Sequence, residues 1–129
     1  MQHPNARLLE KLYADFARGD VPAVLNACDD RCTFQFPGRG RLAGKFTKAD
    51  FAEKFLMPLA DLTGGTLRIE VHDILASDRH GVVLASDHFS RKGTAHQLRT
   101  VHVWRFEGGR PVAWYEYPRD LHQWEEILA

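Results

Sequence analysis

The chain has 129 residues, of which 44% are hydrophobic and 26% charged, a composition that suits one folded domain over residues 1–129 and excludes a disordered chain. Its 17 basic and 17 acidic residues cancel, so neither nucleic acid nor a membrane is expected as a partner. The sequence shows no apolar signal core and no membrane-spanning segment. Cys28 and Cys32 match neither a metal-site spacing nor a secreted disulfide framework. We therefore expect reduced thiols in a cytoplasmic protein.

Two helices are predicted at the start of the chain. Apolar residues recur at helical spacing from Ala6 to Arg18, and Gly19 ends the run. Asp20 is the expected N-cap of a second, shorter helix, whose first turn accommodates Pro22 without loss of a hydrogen bond.

A strand and a third helix follow. Cys32–Phe36 has the composition of a strand, and the interrupted basic run between residues 39 and 48 is expected to be a solvated loop. Thr47 and Asp50 resemble a capping box, which predicts a helix start at this point. Pro58 should kink or shorten that helix.

The second half of the chain predicts a sheet. Long strands are expected over Thr66–Ala76, Gly81–Arg91 and Ala95–Phe106, with a shorter one over Val112–Tyr117 and a closing helix from Arg119 to Leu128. Helices followed by strands joined through tight turns indicate an α+β fold with a mainly antiparallel sheet.

The register of the last hairpin decides which side chains meet. A two-residue Gly108-Gly109 loop would place Tyr115 across from His102, whereas a three-residue loop through Arg110, with a bulge, would place Glu116 there. Because side chains alternate between the faces of a strand, a shift of one residue exchanges the whole inward set. We expect the longer loop and hence the pairing of His102 with Glu116.

The order of these elements, together with five short motifs, resembles the SnoaL-like polyketide cyclases of the nuclear transport factor 2-like superfamily. The motifs are Leu12-Tyr-Ala-Asp-Phe-Ala-Arg-Gly-Asp20, Ala43-Gly44, Val71-His-Asp-Ile-Leu-Ala76, Val101-His-Val-Trp-Arg-Phe106 and Trp114-Tyr-Glu-Tyr-Pro118. The resemblance implies a curved, mainly antiparallel sheet that wraps with three N-terminal helices into a cone around a cavity, plus a short C-terminal helix. It does not fix the chemistry, because the fold hosts isomerases, cyclases, hydrolases and plain binding modules.

Two enzyme types of the superfamily are not matched in full. The resemblance places the helix Tyr of the ketosteroid isomerases at Leu12, with Tyr13 one position off and on another face. It places their base at Phe36 and their strand Asp at His102. Two of the three roles are thereby lost, and steroid isomerisation by that mechanism is not expected.

The limonene epoxide hydrolases are more similar at the last hairpin. The resemblance aligns one of their acidic residues with Glu116, but their Arg and second Asp with Asp87 and Phe89. Their water-holding Tyr and Asn align with Phe34 and Phe36. The acidic residue is retained and the set that activates water is not, so their mechanism is not expected either.

Three ionisable residues are the candidate catalytic group: His102, Glu116 and Asp87. An apolar wall raises the pKa of a carboxyl group and a nearby carboxylate raises that of histidine, so such a group can move a proton near neutral pH. The alternative is structural, with Glu116 in a buried ion pair to Arg99 or Arg105. The candidate ligand-binding residues are Phe34, Phe36, Phe55, Val83, Phe89, Trp104, Trp114 and His72. No metal site and no cofactor are expected.

The functional prediction is a small-molecule pocket. We expect a small apolar metabolite, polyketide-, terpenoid- or steroid-like, bound in a conical cavity with cofactor-independent acid–base chemistry of the isomerase, cyclase or hydrolase kind. The alternative is a non-catalytic ligand-binding or dimerisation module. Val101 and Val103 lie on the opposite face from His102 and predict a homodimer through the outer face of the sheet.

Overall fold

The structure is a computed structural model and describes residues 2–129. Helix α1 (Pro4–Ala17) and helix α2 (Val21–Ala27) lie where the helical spacing predicts them. The carboxylate of Asp20 accepts a hydrogen bond from the amide of Ala23, as expected of an N-cap.

The next segment contains one more strand than the sequence predicts. Strand β1 (Thr33–Phe36) pairs antiparallel with β2 (Gly44–Thr47), which forms the edge of the sheet. The expectation of a solvated loop holds for residues 39–43, where Arg39 and Arg41 are exposed, and is wrong from Gly44 onward. A four-residue edge strand is too short to show a period of two, and Lys45 is the kind of exposed charge that edge strands carry.

Pro58 interrupts the third helix without ending it. Helix α3 (Lys48–Phe51) runs into a π-helical segment (Ala52–Leu56) and then into helix α4 (Met57–Leu62). Proline has no amide hydrogen and its ring collides with the carbonyl four residues earlier. The wider π turn directly before Pro58 gives that carbonyl room, so the predicted third helix is present in two parts.

Four long strands and a closing helix follow as predicted: β3 (Arg68–Ala76), β4 (His80–Arg91), β5 (Thr94–Glu107), β6 (Arg110–Pro118) and α5 (Leu121–Ile127). The six strands form one open sheet in the order β2-β1-β6-β5-β4-β3. Within residues 2–129, only β1 and β6 pair in parallel. The α+β cone fold is thereby confirmed. Within residues 2–129, no helix is long and apolar enough to cross a membrane.

The last hairpin has the expected register and an unexpected turn. His102 pairs with Glu116. The loop consists of two residues, Gly108-Gly109, with φ angles of 57° and 78° that suit a primed turn. A bulge at Val112 then supplies the extra residue, so the prediction of a three-residue loop through Arg110 is wrong while the pairing is right.

The core lies between the inner face of the sheet and the helices. Phe51 on α3 stacks on Phe34 of β1 with ring centroids 4.0 Å apart. Trp124 of α5 packs against Phe36 and Phe89 and closes one end of the core. Helix α1 crosses the far strands, where Leu9 is fully buried.

Candidate functional site

The core is hollow. The helices and the inner face of the sheet line a cavity of about 70 Å³, whereas one water needs about 10–15 Å³ on this measure. The ionisable side chains in its wall are Tyr13, Asp87, His102 and Glu116, and every other wall residue is apolar. The cavity is therefore an apolar container with a few polar groups, the usual form of a small-molecule site.

A chain of polar contacts crosses one side of the cavity, and we call it the Tyr13–His102–Glu116 chain. The hydroxyl of Tyr13 lies 2.6 Å from Nδ1 of His102 and accepts a hydrogen bond of 3.0 Å from Nε1 of Trp104. Nε2 of His102 lies 3.6 Å from Oε1 of Glu116. Oγ1 of Thr100 donates a 3.0 Å hydrogen bond to the other carboxylate oxygen of Glu116. The pairing of β5 with β6 sets this geometry.

The chain of contacts has two proton arrangements. A phenol oxygen has one proton and two lone pairs, and Trp104 occupies one lone pair of Tyr13. With neutral His102, the phenol donates to Nδ1 and the imidazole proton sits on Nε2, facing Glu116. With protonated His102, Nδ1 donates to the phenol oxygen, and the phenolic proton is free to point into the cavity.

The surroundings of His102 favour its protonated form. Burial lowers the pKa of His102, but the charge of Glu116, the contact with its carboxylate and the charge of Asp87 together outweigh burial and leave the pKa raised. Burial raises the pKa of Tyr13 well above its usual range, so this residue remains a phenol. The Tyr13–His102–Glu116 chain is thus suited to donating a proton.

Asp87 faces the cavity without a partner. It lies on the inner face of β4, is 4% exposed, and has no hydrogen-bond or ion-pair partner among residues 2–129. Burial, with the charge of Glu116, raises its pKa from 3.8 to about 7. Asp87 is four residues along β4 from Val83, the partner of His102, or roughly 13 Å along a flat strand. The side chain of Asp87 therefore faces the same hollow from a different position along the sheet, and it does not orient the imidazole of His102.

The cavity wall contains most of the predicted site residues. The structure brings together His102, Glu116 and Asp87 with four of the predicted ligand-binding residues, which are Phe34, Phe55, Trp104 and Trp114. The alternative ion pairs of Glu116 do not form, because Arg99 and Arg105 lie on the exposed face of β5. The catalytic and binding roles of these residues stay predictions.

Four predicted ligand-binding residues are outside the wall. Val83 is fully buried under its neighbours, and Phe36 and Phe89 pack against Trp124, which stands between them and the hollow. His72 lies at a bulge in β3, on the outer face, where its Nε2 is 2.8 Å from Oγ of Ser86. The bulge shifts the alternation of inward and outward side chains, so the placement of His72 in the cavity is wrong.

Tyr13 is the residue that the sequence reasoning missed. It was expected on a different face of α1 from Leu12, yet both line the cavity. Neighbouring helix positions differ by about 100°, and a cavity wall is wide enough to take both. The signal was present in the spacing, because Tyr13 follows Leu9 by four residues and precedes Phe16 by three.

With the fold and the cavity established, comparison with known proteins defines the family. The fold is that of the nuclear transport factor 2-like proteins, and residues 9–114 match the model of the SnoaL-like domain. The chain belongs to the SnoaL-like family. It is 32% identical over 125 residues to an uncharacterized protein of Mycobacterium tuberculosis (strain ATCC 25618 / H37Rv), covering 95% of this chain and 94% of the relative.

Solved structures share the whole architecture. Bal32a, from a soil-derived mobile gene cassette, superposes with a TM-score of 0.87 at 27% identity, covering 98% of this chain and 97% of that one. TerC, co-crystallized with polyporic acid, gives 0.85 at 23% identity with 98% of each chain covered. An epoxide hydrolase from M. tuberculosis, similar to the limonene enzymes, gives 0.70 at 17% identity over 97% of this chain and 89% of that one. The last two likenesses are of fold.

Proposed function

We propose that this protein binds a small, largely apolar carbonyl compound in its cavity and catalyses cofactor-independent proton transfer on it, as an isomerase or cyclase. The same fold includes a protein co-crystallized with polyporic acid and an epoxide hydrolase, so both binding and catalysis occur on it.

The observation that carries the proposal is the carboxyl of Asp87, which lines the hollow and makes no hydrogen bond among the described residues. Nε2 of His102 is buried without a hydrogen bond and faces Oε1 of Glu116 at 3.6 Å. Native cores satisfy nearly all of their buried polar groups, so each exception calls for an explanation. A carboxyl group kept free beside a cavity is available to a ligand.

In the proposed reaction Asp87 is the base and Tyr13 is the acid, and both side chains line the same cavity. The carboxylate of Asp87 removes a proton from the carbon next to the carbonyl, and the electron pair of that C–H bond forms the C=C bond of an enol. The carbonyl oxygen takes the phenolic proton of Tyr13, which is replaced from Nδ1 of His102 while Glu116 balances the charge of the imidazolium. Where a C=C bond lies next to the deprotonated carbon, the product is a dienol; Asp87 returns its proton to the far carbon of that bond while the enol O–H proton goes back to Tyr13, which gives the conjugated isomer. Where the ligand has a second carbonyl, the enol carbon attacks it, the enol O–H proton goes back to Tyr13 and the new alkoxide takes the proton from Asp87, which closes a ring. Neither outcome oxidises or reduces the ligand.

Hydrogen–deuterium exchange tests this chemistry without knowledge of the natural substrate. Proton NMR in D₂O follows the loss of the α-hydrogens of 2-pentanone in the presence of the protein. We expect catalysed exchange that falls at least 100-fold in Asp87→Asn and in Tyr13→Phe, since general acid–base groups contribute about 10² to 10⁴-fold. Asp61→Asn, an exposed carboxylate on α4, is the matched control and should exchange like the wild type.

The exchange assay also separates the alternatives. Saturable binding of ketones without any catalysed exchange would replace the enzyme with a non-catalytic ligand-binding module. Absence of ketone binding altogether would contradict the small-molecule function. Exchange that survives in both cavity variants would contradict the assigned roles of Asp87 and Tyr13.

The outer face of the sheet supports a second proposal, a homodimer. Leu75 and Tyr117 are 53% and 55% exposed there, with half-buried Val101 and Val103 between them. A two-fold pairing covers the same patch on both copies. Light scattering should give twice the 14.7 kDa chain mass, and Val103→Lys together with Tyr117→Lys should give the monomer. Met57→Lys, an equally exposed apolar residue away from the sheet face, should remain dimeric; a monomeric wild type would contradict the proposal.

We also propose a cytoplasmic location. Cys28 and Cys32 are buried thiols four residues apart that form no disulfide. Oxidising compartments favour disulfides and the cytoplasm keeps thiols reduced, which supports this location. Cell fractionation tests it directly, and recovery of the protein outside the cytoplasm would contradict it.

A further inference from the structure

The cavity is too small for the ligands that its architecture first suggests. Sites for drug-sized ligands span about 300–1,000 Å³, whereas the cavity measures about 70 Å³. A fused ring system such as a steroid cannot be housed there whole. Any ligand of ordinary metabolite size must therefore extend out of the cavity.

An outer groove of about 270 Å³ adjoins the cavity. Four side chains belong to the walls of both spaces: Phe16, Leu56, Leu59 and Leu67. We call these four residues the mouth. Three of them are only half-buried, and Leu59 is the buried member. The groove and the cavity therefore lie on either side of the same four apolar side chains.

The groove is neutral and is lined in part by small residues. Beyond the mouth it is lined by Ala17, Gly19 and Val21 on the side of α1 and α2, and by Ala60, Thr63 and Gly65 on the side of α4. None of its ten lining residues is charged. A Cβ atom built on Gly19 or Gly65 would meet nothing within 4 Å, so the small residues leave real space.

The polar groups lie deeper than the mouth. On α1, Tyr13 is three residues before Phe16, about 4.5 Å further along the helix axis. On β3, Ile69 pairs with Asp87 and lies two residues beyond Leu67 of the mouth. A ligand that passes the mouth therefore reaches Asp87 and then the Tyr13–His102–Glu116 chain.

We propose that the ligand is an elongated carbonyl compound with an unbranched apolar tail: the carbonyl end occupies the cavity and the tail leaves through the mouth into the groove. The inference rests on the proposed function and adds the shape and direction of the ligand. A cavity of about 70 Å³ does not hold a fused ring system, and a neutral groove disfavours a charged tail, because no wall residue would compensate the charge.

A series of methyl ketones from 2-butanone to 2-dodecanone tests the length of the site, with dissociation constants measured by ligand-observed NMR. Each methylene that leaves water should tighten binding about threefold to fourfold. We expect this gain to continue beyond 2-hexanone, because the carbons that a cavity of about 70 Å³ does not hold enter the groove. An affinity that peaks near 2-hexanone and falls for longer ketones would overturn the inference and leave the proposed function standing.

Two tryptophan substitutions on the same helical stretch locate the tail. Ala60→Trp fills the groove from an exposed position and should weaken binding of 2-dodecanone at least tenfold while changing that of 2-pentanone less than twofold. Glu53→Trp, exposed but outside the groove, should change neither. Equal binding of 2-dodecanone by the two variants would overturn the placement of the tail, and failure of every ketone to bind would overturn the proposed function with it.

Discussion

Replacing Asp87 by Asn should stabilise the protein above neutral pH. The pKa of this carboxyl is about 7 in the folded protein, against an ordinary value of 3.8. The difference is about three pKa units at about 1.4 kcal/mol each, or about 4 kcal/mol. Because the folded state keeps the proton to a higher pH than the unfolded state, stability falls as pH rises between these two values and remains reduced above pH 7. Asn has the same shape and no charge to bury.

Urea unfolding at pH 5 and pH 8.5 measures the effect. The wild type should lose several kcal/mol of unfolding free energy over this range, and Asp87→Asn should lose much less. His102 adds a loss of the same sign, since a histidine with a raised pKa stabilises the fold only while it is protonated. The comparison between the two proteins at pH 8.5 isolates the contribution of Asp87 to stability. The Asp87→Asn variant should have the higher unfolding free energy, by up to about 4 kcal/mol.

The control is Asp61→Asn, which removes an exposed carboxylate and should change stability by less than about 0.5 kcal/mol at either pH. The reasoning fails if Asp87→Asn is no more stable than the wild type at pH 8.5. In that case the carboxylate of Asp87 is compensated in the folded protein, and it is not a base held at a raised pKa.

Three further substitutions test single contacts. Glu116→Gln removes a carboxylate 3.6 Å from the imidazole of His102, an attraction of about 4–5 kcal/mol at an effective dielectric of about 20. NMR titration should therefore show the pKa of His102 lowered by at least one unit. An unchanged pKa would contradict the assigned contact. Gly81→Ala places a Cβ 2.6 Å from a methyl of Leu9, so urea unfolding should show a loss of about 1–3 kcal/mol. Asp20→Ala removes the N-cap of α2 and should lower the unfolding free energy by about 1 kcal/mol, with a loss of α2 amide protection in hydrogen exchange.

Local patterns account for most of the fold. Helical spacing locates α1 and α2, and the glycine turns separate strands long enough to show their alternation. The short edge strand β2 is not predicted from the sequence, because its four residues, Gly44–Thr47, are too few to show the alternation of a strand. The π turn before Pro58 is not predicted for a different reason. The sequence shows that a proline disturbs the helix, but the helix continues because Phe55 and Leu59 pack on the core.

Only the part of the site that lies on the last hairpin, β5 and β6, could be predicted from the sequence. His102 and Glu116 are 14 residues apart on paired strands, and the register of that pair can be weighed from turn and bulge alone. Tyr13 reaches His102 across 89 residues of sequence, a contact that depends on how α1 crosses the sheet. No local rule fixes that crossing, because it results from the packing of all layers together.

The unpaired polar groups distinguish this cavity from a packing defect. Elsewhere in the core, buried Thr63 and Ser86 make hydrogen bonds, and Asp15 is paired with Lys11. If the hollow were only a packing defect, a charged residue at the position of Asp87 would serve no structural purpose. An isosteric neutral side chain at that position should make the fold more stable. A carboxyl group with a raised pKa, placed beside a hollow that also contains the Tyr13–His102–Glu116 chain, is what we expect of a site whose function depends on leaving that carboxyl free.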